Sequence, residues 1–509
     1  MKNAIAEFKG ALSSDFFSSI VVFLVALPLC MGIAVASGVP PALGLITGVI
    51  GGVVVGFLAG SPLQVSGPAA GLAVLVYEIV NEHGLAMIGP ILLLAGLIQI
   101  LAGVLKVGQW FRAISPAVVY GMLAGIGVLI LAGQFHVMVD DKPKATGLEN
   151  LLSIPAAVYK GIFPLDGSVH HLAAMIGLVT IATMVLWGKF RPAALSLVPA
   201  PLVAIMLASG LAMVLGLPIK YVNVPQQLSD SITFPTMETL SRLMESPILV
   251  SAIAMAFIAS AETLLSAAAV DRMHTGPRTD YDRELTAQGV GNFLCGALGA
   301  LPMTGVIVRS SANVQAGAKT RMSAILHGCW LLVAVLALPS VLRLIPTSAL
   351  AAILVYTGYK LINVDNIKQV SQYGRIPVLI YFATVAGIVA TDLLTGVLIG
   401  IGLSLVKLIY KVSHLEIRLL NTEPGKAHLY LSGSATFLRL PKLARILDSI
   451  PAGTELHVHV ETLNYIDHSC LDLLANWEKQ NVQRGSTLVV QWDGLVARYR
   501  KMGPVNAAA

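Results

Sequence analysis

Long apolar runs recur along this chain from Phe16 to about Tyr410, and polar residues are confined to the short segments between them. Most runs have about 17–22 residues, the length that a helix needs to cross the hydrocarbon core of a bilayer. The pattern predicts a polytopic α-helical membrane protein of about 14 segments. The predicted spans are 16–36, 42–59, 65–80, 86–105, 114–133, 172–186, 195–215, 247–267, 285–300, 304–316, 322–340, 347–359, 377–390 and 394–411.

Two of these spans contain residues that break a helix, at 65–71 (VSGPAAG) and at 301–311 (LPMTGVIVRSS). A proline fits the first turn of a helix, where its missing N–H is no loss, so each break predicts a helix N-terminus at membrane depth. The free N–H groups and the positive end of the helix dipole at such a terminus favour an anion. Irregular backbone is tolerated there only if it is buried or lines a cavity.

The two breaks lie about seven spans apart, at corresponding positions of two halves. This spacing predicts an inverted repeat with an anion site between two facing half-helices. The alternative is that both breaks are ordinary ends of loops.

Basic residues fall in alternate loops, for example at Lys106, Lys189, Arg278, Lys319 and Lys368, and the loops between them are acidic or sparse in charge. The positive-inside rule then predicts an even number of spans with both termini in the cytoplasm, in the inner (plasma) membrane.

The composition changes after about residue 421. Strands are predicted at 427–431, 455–460 and 486–491, and helices at 440–450 and 469–480. Strands that alternate with helices predict a small cytoplasmic α/β domain. We expect a membrane domain at 1–415, a linker near 421–425 and the small domain at 421–509.

The overall composition supports this organisation, with 56% hydrophobic and 12% charged residues against about 25% charged in soluble domains. The net charge of +6 comes from basic residues in short loops, so a nucleic-acid partner is not expected. Four scattered cysteines form no metal or disulfide spacing. With no phosphate loop and no nucleophile–base pair, neither an enzyme nor a cofactor is predicted.

Glu262 is the only acid in an otherwise apolar span, and Ser266 follows it by one helical turn. A carboxylate at this depth either binds a cation or takes up a proton. The alternative is a static ion pair, for example with Arg309. Arg309 itself lies in the first turns after the second break, where it either attracts the anion or snorkels to the interface.

These motifs together resemble the sulfate permease (SulP) family of anion transporters, over nearly the whole chain. The matching segments are 26–40 with Gly44 and Leu45, 65–68, 261–267, 288–292 and 304–317. The C-terminal part is similar to a STAS domain. The resemblance implies 14 segments in two inverted seven-segment repeats, with the core and gate domains of the uracil permeases, elevator movement and a homodimer.

The resemblance also implies which residues form the sites. The anion would lie near Ser66, Gly67, Ala69, Ala70, Gly305, Val306, Ile307 and Arg309, with Leu29 and Ile33 lining the site. Sodium-coupled members have an aspartate and a threonine where this chain has Glu262 and Ser266, so a proton is the expected coupling ion, with sodium as the alternative. Ser469 occupies a position that is phosphorylated in related anti-sigma-factor antagonists, although Cys470 replaces the usual glycine. The alternative is a purely structural role, in which Asp467 caps the N-terminus of the following helix.

The expected function is secondary active transport of bicarbonate or sulfate, coupled to protons. The alternatives are a C4-dicarboxylate/proton symporter of the same fold, a passive anion channel, and a membrane-tethered scaffold for the STAS domain.

Overall fold

A computed structural model of the chain describes residues 2–144, 146–163, 169–192, 195, 198–223 and 231–491. The chain divides into two units, Met1–Ile401 and Gly402–Ala509, and the division falls within one helix, α19. Eight described helices are long and apolar enough to cross a membrane, and three shorter apolar helices join them.

The first half of the larger unit runs from α1 to α10 and contains the first break. Its elements are α1 (Lys2–Ala36), α2 (Pro41–Ile50), a π-helical turn (Gly51–Val55), α3 (Gly56–Leu58), β1 (Ser66–Pro68), α4 (Ala70–His83), α5 (Ile88–Val104), α6 (Pro116–Met138), α7 (Gly147–Ile162), α8 (His170–Phe190), α9 (Ala200–Val214) and α10 (Met237–Ser241).

The second half repeats this order. Its elements are α11 (Ser246–Val270), α12 (Tyr281–Ala297), β2 (Met303–Gly305), α13 (Ile307–Gln315), α14 (Met322–Ala337), α15 (Pro339–Leu342), α16 (Thr347–Leu361), α17 (Val364–Ser371), α18 (Arg375–Ala390) and α19 (Leu393–Val412). Each predicted span contains one of these helices, and both broken spans consist of a short strand followed by a helix. The mostly helical architecture with many apolar helices is confirmed.

The short helix α10 was not predicted, and neither were two longer helices, α7 and α17. They lie at equivalent places in the two halves, α7 between α6 and α8 and α17 between α16 and α18. Both carry charged residues in their first and last turns, such as Glu149 and Lys160 in α7. These charges keep their hydropathy below that of a span, although the helices pack against their neighbours.

Helices α5 and α12 pack closely because glycines face each other across their interface. A Cβ at Gly96 would stand 2.7 Å from the carbonyl oxygen of Gly289, and a Cβ at Gly89 would stand 2.9 Å from that of Gly296. Small residues let two membrane helices approach to backbone contact. The pair packs beside the two broken segments, and α12 forms hydrogen bonds with both of them.

The smaller unit contains a four-stranded sheet in the order β3-β4-β5-β6. β3 (Leu415–Glu423) and β4 (Lys426–Ala435) form an antiparallel hairpin, and β5 (Glu455–Ile466) and β6 (Thr487–Gln491) add in parallel. Helices α20 (Leu440–Asp448) and α21 (His468–Asn481) make the two crossovers. The alternating buried residues Leu429, Leu431, Leu456 and Val458 form the core under these helices.

The predicted strands and helices of this unit are all present, but β3 was missed. The segment at 421–425, interpreted as a linker, is the end of β3 and the turn of the hairpin. The sheet therefore begins at Leu415. The last part of the predicted domain, 492–509, lies outside the described residues.

Candidate functional site

The two broken spans meet in the interior of the larger unit. β1 pairs with β2 in antiparallel register, with Ser66 opposite Gly305 and Pro68 opposite Met303, and both strands are fully buried. The amide of Val306 continues the ladder with a 2.9 Å bond to the carbonyl of Val65. Because the strands are antiparallel, the helices that follow them leave the pair in opposite directions. The chain thus places two helix N-termini at one level, as the spacing of the breaks predicts.

Polar side chains of α12 hold this pair in place. The Gln288 amide donates to the Ser66 hydroxyl at 2.5 Å. The Asn292 amide donates to the carbonyl of Met303 at 3.1 Å and its oxygen accepts from the Met303 amide at 2.8 Å. One turn before Gln288, the Glu284 carboxylate accepts a hydrogen bond from the amide of Ser61 at 2.9 Å. The three side chains, spaced four residues apart on one face, satisfy backbone and hydroxyl groups that the breaks leave unpaired.

The N-termini of α4 and α13 have no side-chain caps. Ala69 and Val306 are the N-cap residues, and both have extended backbone and side chains that cannot accept a hydrogen bond. The first amides of a helix have no partner within it. The amides of Ala70 and Gly71 in α4 and of Ile307 in α13 are therefore free to donate hydrogen bonds to a ligand.

A cavity of about 680 Å³ lies at these two termini. Its walls come from two groups of helices, with α1, α4, α11 and α13 on one side and α6 and α16 on the other. The lining residues are Leu29, Ile33, Ala70, Gly71, Met122, Leu123, Ile126, Glu262, Leu265, Ser266, Val306, Ile307, Val308, Thr357 and Leu361. The surface is apolar except for the helix termini, one carboxylate and two hydroxyl groups.

Glu262 is the charged group of this cavity. A Cβ placed on Gly71 would stand 2.8 Å from Oε1 and 2.9 Å from Oε2 of Glu262, so the carboxylate lies against the first turn of α4. Its Oε2 is buried without a hydrogen-bond partner. Within the described part of the chain, Glu262 and Arg309 form no ion pair, which removes the static pair considered from the sequence.

The neighbours of Glu262 on α11 tie this helix to the second break. The Thr263 hydroxyl accepts from the amide of Gly305 at 3.2 Å, and the Thr263 carbonyl accepts from Gln64 at 3.4 Å. Ser266 is buried and lines the cavity one turn beyond Glu262. The carboxylate is therefore carried on a helix that is fixed to the strand pair.

Arg309 lies behind the strand pair and does not line the cavity. Its side chain is fully buried, and Nη2 donates to the carbonyl of Pro68 at 3.4 Å. Nε and Nη1 have no partner. A Cβ on Gly67 would collide with Nη1, so the glycine leaves space for the guanidinium. Arg309 thus adds a positive charge beneath the two N-termini, and it does not snorkel to an interface.

The predicted anion-site residues divide into two sets in the structure. Leu29, Ile33, Ala70, Val306 and Ile307 line the cavity. Ser66, Gly67, Ala69, Gly305 and Arg309 form the strand pair and the turns behind it. The lining residues of α6 and α16, such as Met122 and Thr357, were missed, because unbroken apolar spans carry no local signal for a site.

The candidate modification site lies in the smaller unit. Ser469 is exposed in the first turn of α21. Asp467 is the N-cap of α21, and its carboxylate accepts a hydrogen bond from the Cys470 amide at 2.9 Å. This is the capping role considered from the sequence. Burial, together with the Asp467 carboxylate, raises the pKa of the Cys470 thiol to about 12, so this thiol stays protonated and packs as an apolar side chain.

Among curated proteins, the chain is similar to the putative sulfate transporter YvdB of Bacillus subtilis, with 27% identity over 80% of this chain and 76% of that protein. It is also similar to the bicarbonate transporter BicA of Picosynechococcus sp., with 25% identity over 80% of this chain and 71% of that protein.

Solved structures carry the same fold. The transmembrane domain of a cyanobacterial bicarbonate transporter BicA matches with a TM-score of 0.64 and 24% identity, over 76% of this chain and 97% of that one. The structure of SLC26A9 matches with a TM-score of 0.76 and 15% identity, over 95% of this chain and 84% of that one. These matches confirm the inverted-repeat membrane fold with a small α/β domain.

The sequence matches the sulfate permease family over residues 12–384, which is most of the chain. The family consists of transporters, so the chain is a multi-pass membrane transporter of anions and not an enzyme. The chain therefore belongs to the sulfate permease family.

Proposed function

We propose that this protein is a secondary active transporter that moves bicarbonate or sulfate together with protons. The observation that carries the proposal is the position of Glu262, an unpartnered carboxylate against the first turn of α4 in the cavity where two uncapped helix N-termini meet. The anion would bind at the amides of Ala70, Gly71 and Ile307.

The coupling follows from repulsion between like charges. An anion at the α4 N-terminus would lie close to Glu262, and two unit negative charges about 4 Å apart repel by about 4 kcal/mol at an effective dielectric constant near 20. Protonation of Glu262 removes this repulsion. Anion binding and proton binding then favour each other, and the two move as a pair. Arg309 would balance the charge of the anion through the strand pair.

The two groups of lining helices support elevator movement. Helices α1, α4, α11 and α13, together with the strand pair, carry every predicted substrate and coupling residue, whereas α6 and α16 contribute only apolar contacts and one hydroxyl group. We propose that the first group forms the core that carries the anion and that the second belongs to the gate. A homodimer in the plasma membrane, with both termini in the cytoplasm, fits this arrangement.

We assign the residues before Leu415 to the membrane domain and those from Leu415 onward to a STAS domain, because β3 is a strand of the four-stranded sheet and not a linker. The STAS domain would contribute to dimerisation, trafficking or partner binding. Phosphorylation of Ser469 is the alternative role, since this exposed hydroxyl lies in the first turn of α21, where a phosphate is favoured.

A C4-dicarboxylate/proton symporter is the second candidate. The cavity contains two helix N-termini, so a second carboxylate of the substrate could reach the N-terminus that the first leaves free. A passive anion channel differs from both candidates in having no dependence on a cation gradient.

Transport by purified full-length protein in liposomes separates these functions. Uptake of labelled bicarbonate, sulfate and succinate is measured with a proton gradient, a sodium gradient or neither. We expect uptake of bicarbonate or sulfate to be driven by protons. Uptake of succinate alone would identify the dicarboxylate carrier, a requirement for sodium would assign a sodium site to Glu262 and Ser266, and uptake without either gradient would identify a channel.

A further inference from the structure

A second cavity, of about 520 Å³, lies farther along the same helices as the first. It is bounded by α1, α4, α6 and the segment that leads into α7. Its polar lining residues are Tyr77, Glu78, Gln134, Lys144, Thr146 and Asn150. None of them lines the cavity that contains Glu262.

The two cavities follow each other along three helices. Passing from the first cavity to the second, the lining changes from Ile33 to Ala36 on α1, from Gly71 to Val74 on α4 and from Ile126 to Ile130 on α6. Each step is three or four residues, about one helical turn of 5.4 Å. The two cavities are therefore neighbours along these helices, and by the predicted topology the second one lies on the outer side of the first.

Unpartnered oxygen atoms point to the ligand of the second cavity. Gln134 is only 4% exposed, and its Oε1 has no hydrogen-bond partner. Within the described part of the chain, the Glu78 carboxylate makes no hydrogen bond or ion pair. Asn150 is already used, because it binds the backbone of Lys144 and Thr146. A carboxylate can accept a proton, and an amide carbonyl oxygen can accept a hydrogen bond from the group that carries it.

The charges around Glu78 favour a cation over an anion. Glu82, on the same helix, and Asp392, just before α19, lie close enough to act on Glu78 electrostatically. Lys144 is the only cationic side chain that lines the cavity. His83 lies 3.9 Å from Glu82 and offsets part of its charge when it is protonated. Three carboxylates against Lys144 and this histidine still leave the region negative, which concentrates protons and disfavours a second anion.

We propose that this cavity is the site at which the coupling proton first binds: water delivers the proton to the Glu78 carboxylate, and the Gln134 carbonyl accepts a hydrogen bond from the resulting carboxyl group. The inference rests on the proposed proton coupling and adds a second carboxyl group to it. Glu78 and Gly71 are seven residues apart on one face of α4, or about 10.5 Å. A proton accepted by Glu78 thus lies two turns from the residue that Glu262 contacts.

The test measures how proton-driven uptake depends on external pH in liposomes that contain the full chain. The variant is Glu78→Gln, and the matched control is Glu238→Gln, which changes an exposed carboxylate on the short helix α10 away from both cavities. The anion is whichever of labelled bicarbonate and sulfate the wild type takes up. We expect Glu78→Gln to need about a tenfold higher external proton concentration for half-maximal uptake, a shift of one pH unit.

Gln134→Leu provides a second variant that removes the unpartnered carbonyl and should shift the profile in the same direction. The inference is overturned if the pH profiles of Glu78→Gln and Gln134→Leu match that of Glu238→Gln. It is also overturned if these variants change the dependence of uptake on sodium concentration and leave its dependence on pH unchanged. In those cases a proton-dependent wild type would leave the proposed function standing. A wild type without any proton dependence would overturn both.

Discussion

The carboxylate of Glu262 on α11 lies against Gly71 in the first turn of α4, and a methyl group at that glycine would stand 2.8 Å from Oε1. The contact joins Glu262, the proposed proton carrier in the second half of the chain, to helix α4 in the first half. The positive end of α4 is thus next to the one charge in the cavity, so an anion can approach it without repulsion only when that charge is neutral.

Gly71→Ala tests this contact. The added methyl group displaces the flexible end of Glu262 and leaves the backbone in place, so we expect normal amounts of folded protein. Uptake at saturating anion should fall about tenfold or more, because the carboxylate is shifted from its position. The control is Gly210→Ala on α9, where a Cβ meets nothing within 4 Å. Equal uptake by the two variants would contradict the proposed contact.

Arg309→Met tests the charge behind the strand pair. The guanidinium has two unpartnered nitrogens, a long bond to Pro68 and the Cys30 thiol as a neighbour, so its replacement by an apolar side chain should cost little stability. Loss of the positive charge should raise the apparent KM for the anion about 10- to 100-fold, which corresponds to about 1.5–3 kcal/mol. Arg309→Lys should retain part of the affinity. An unchanged KM in the methionine variant, measured by uptake over a range of anion concentrations, would remove Arg309 from the site.

Asn292→Leu tests the support of the second break. The side chain satisfies both backbone groups of Met303, which would be left buried and unpaired. We expect a loss of about 1–3 kcal/mol in the free energy of unfolding, seen as a lower apparent Tm in detergent. Asn366→Leu on α17 is the control, since this residue is only half-buried and lies away from the strand pair. If both variants unfold at the same temperature, Asn292 does not hold the break.

The apolar runs and the two breaks were sufficient to predict the membrane fold and the meeting of two half-helices. The runs are long, and glycine and proline mark the breaks directly. Helix α7 was missed because it has only 16 residues, and Glu149, Pro155 and Lys160 interrupt its apolar pattern. Strand β3 was missed because it begins immediately after the apolar helix α19, where no turn residue marks the change.

The candidate site was predicted in part. Glu262 and Ser266 were found because polar residues at membrane depth are rare, and the structure places both at one cavity. The position of Arg309 could not be predicted, because the direction of its side chain depends on the space left by Gly67, on a different span. The contributions of α6 and α16 depend on tertiary packing, which hydropathy does not report.

The central claim is that Glu262 carries the proton that accompanies the anion. The most direct measurement is the proton flux into liposomes on addition of the transported anion, followed with an internal pH dye alongside anion uptake, for the wild type and Glu262→Gln. We predict that protons enter with the anion in the wild type. In the variant, proton flux should disappear while exchange of labelled for unlabelled anion persists. Equal proton flux in the wild type and Glu262→Gln would contradict the account.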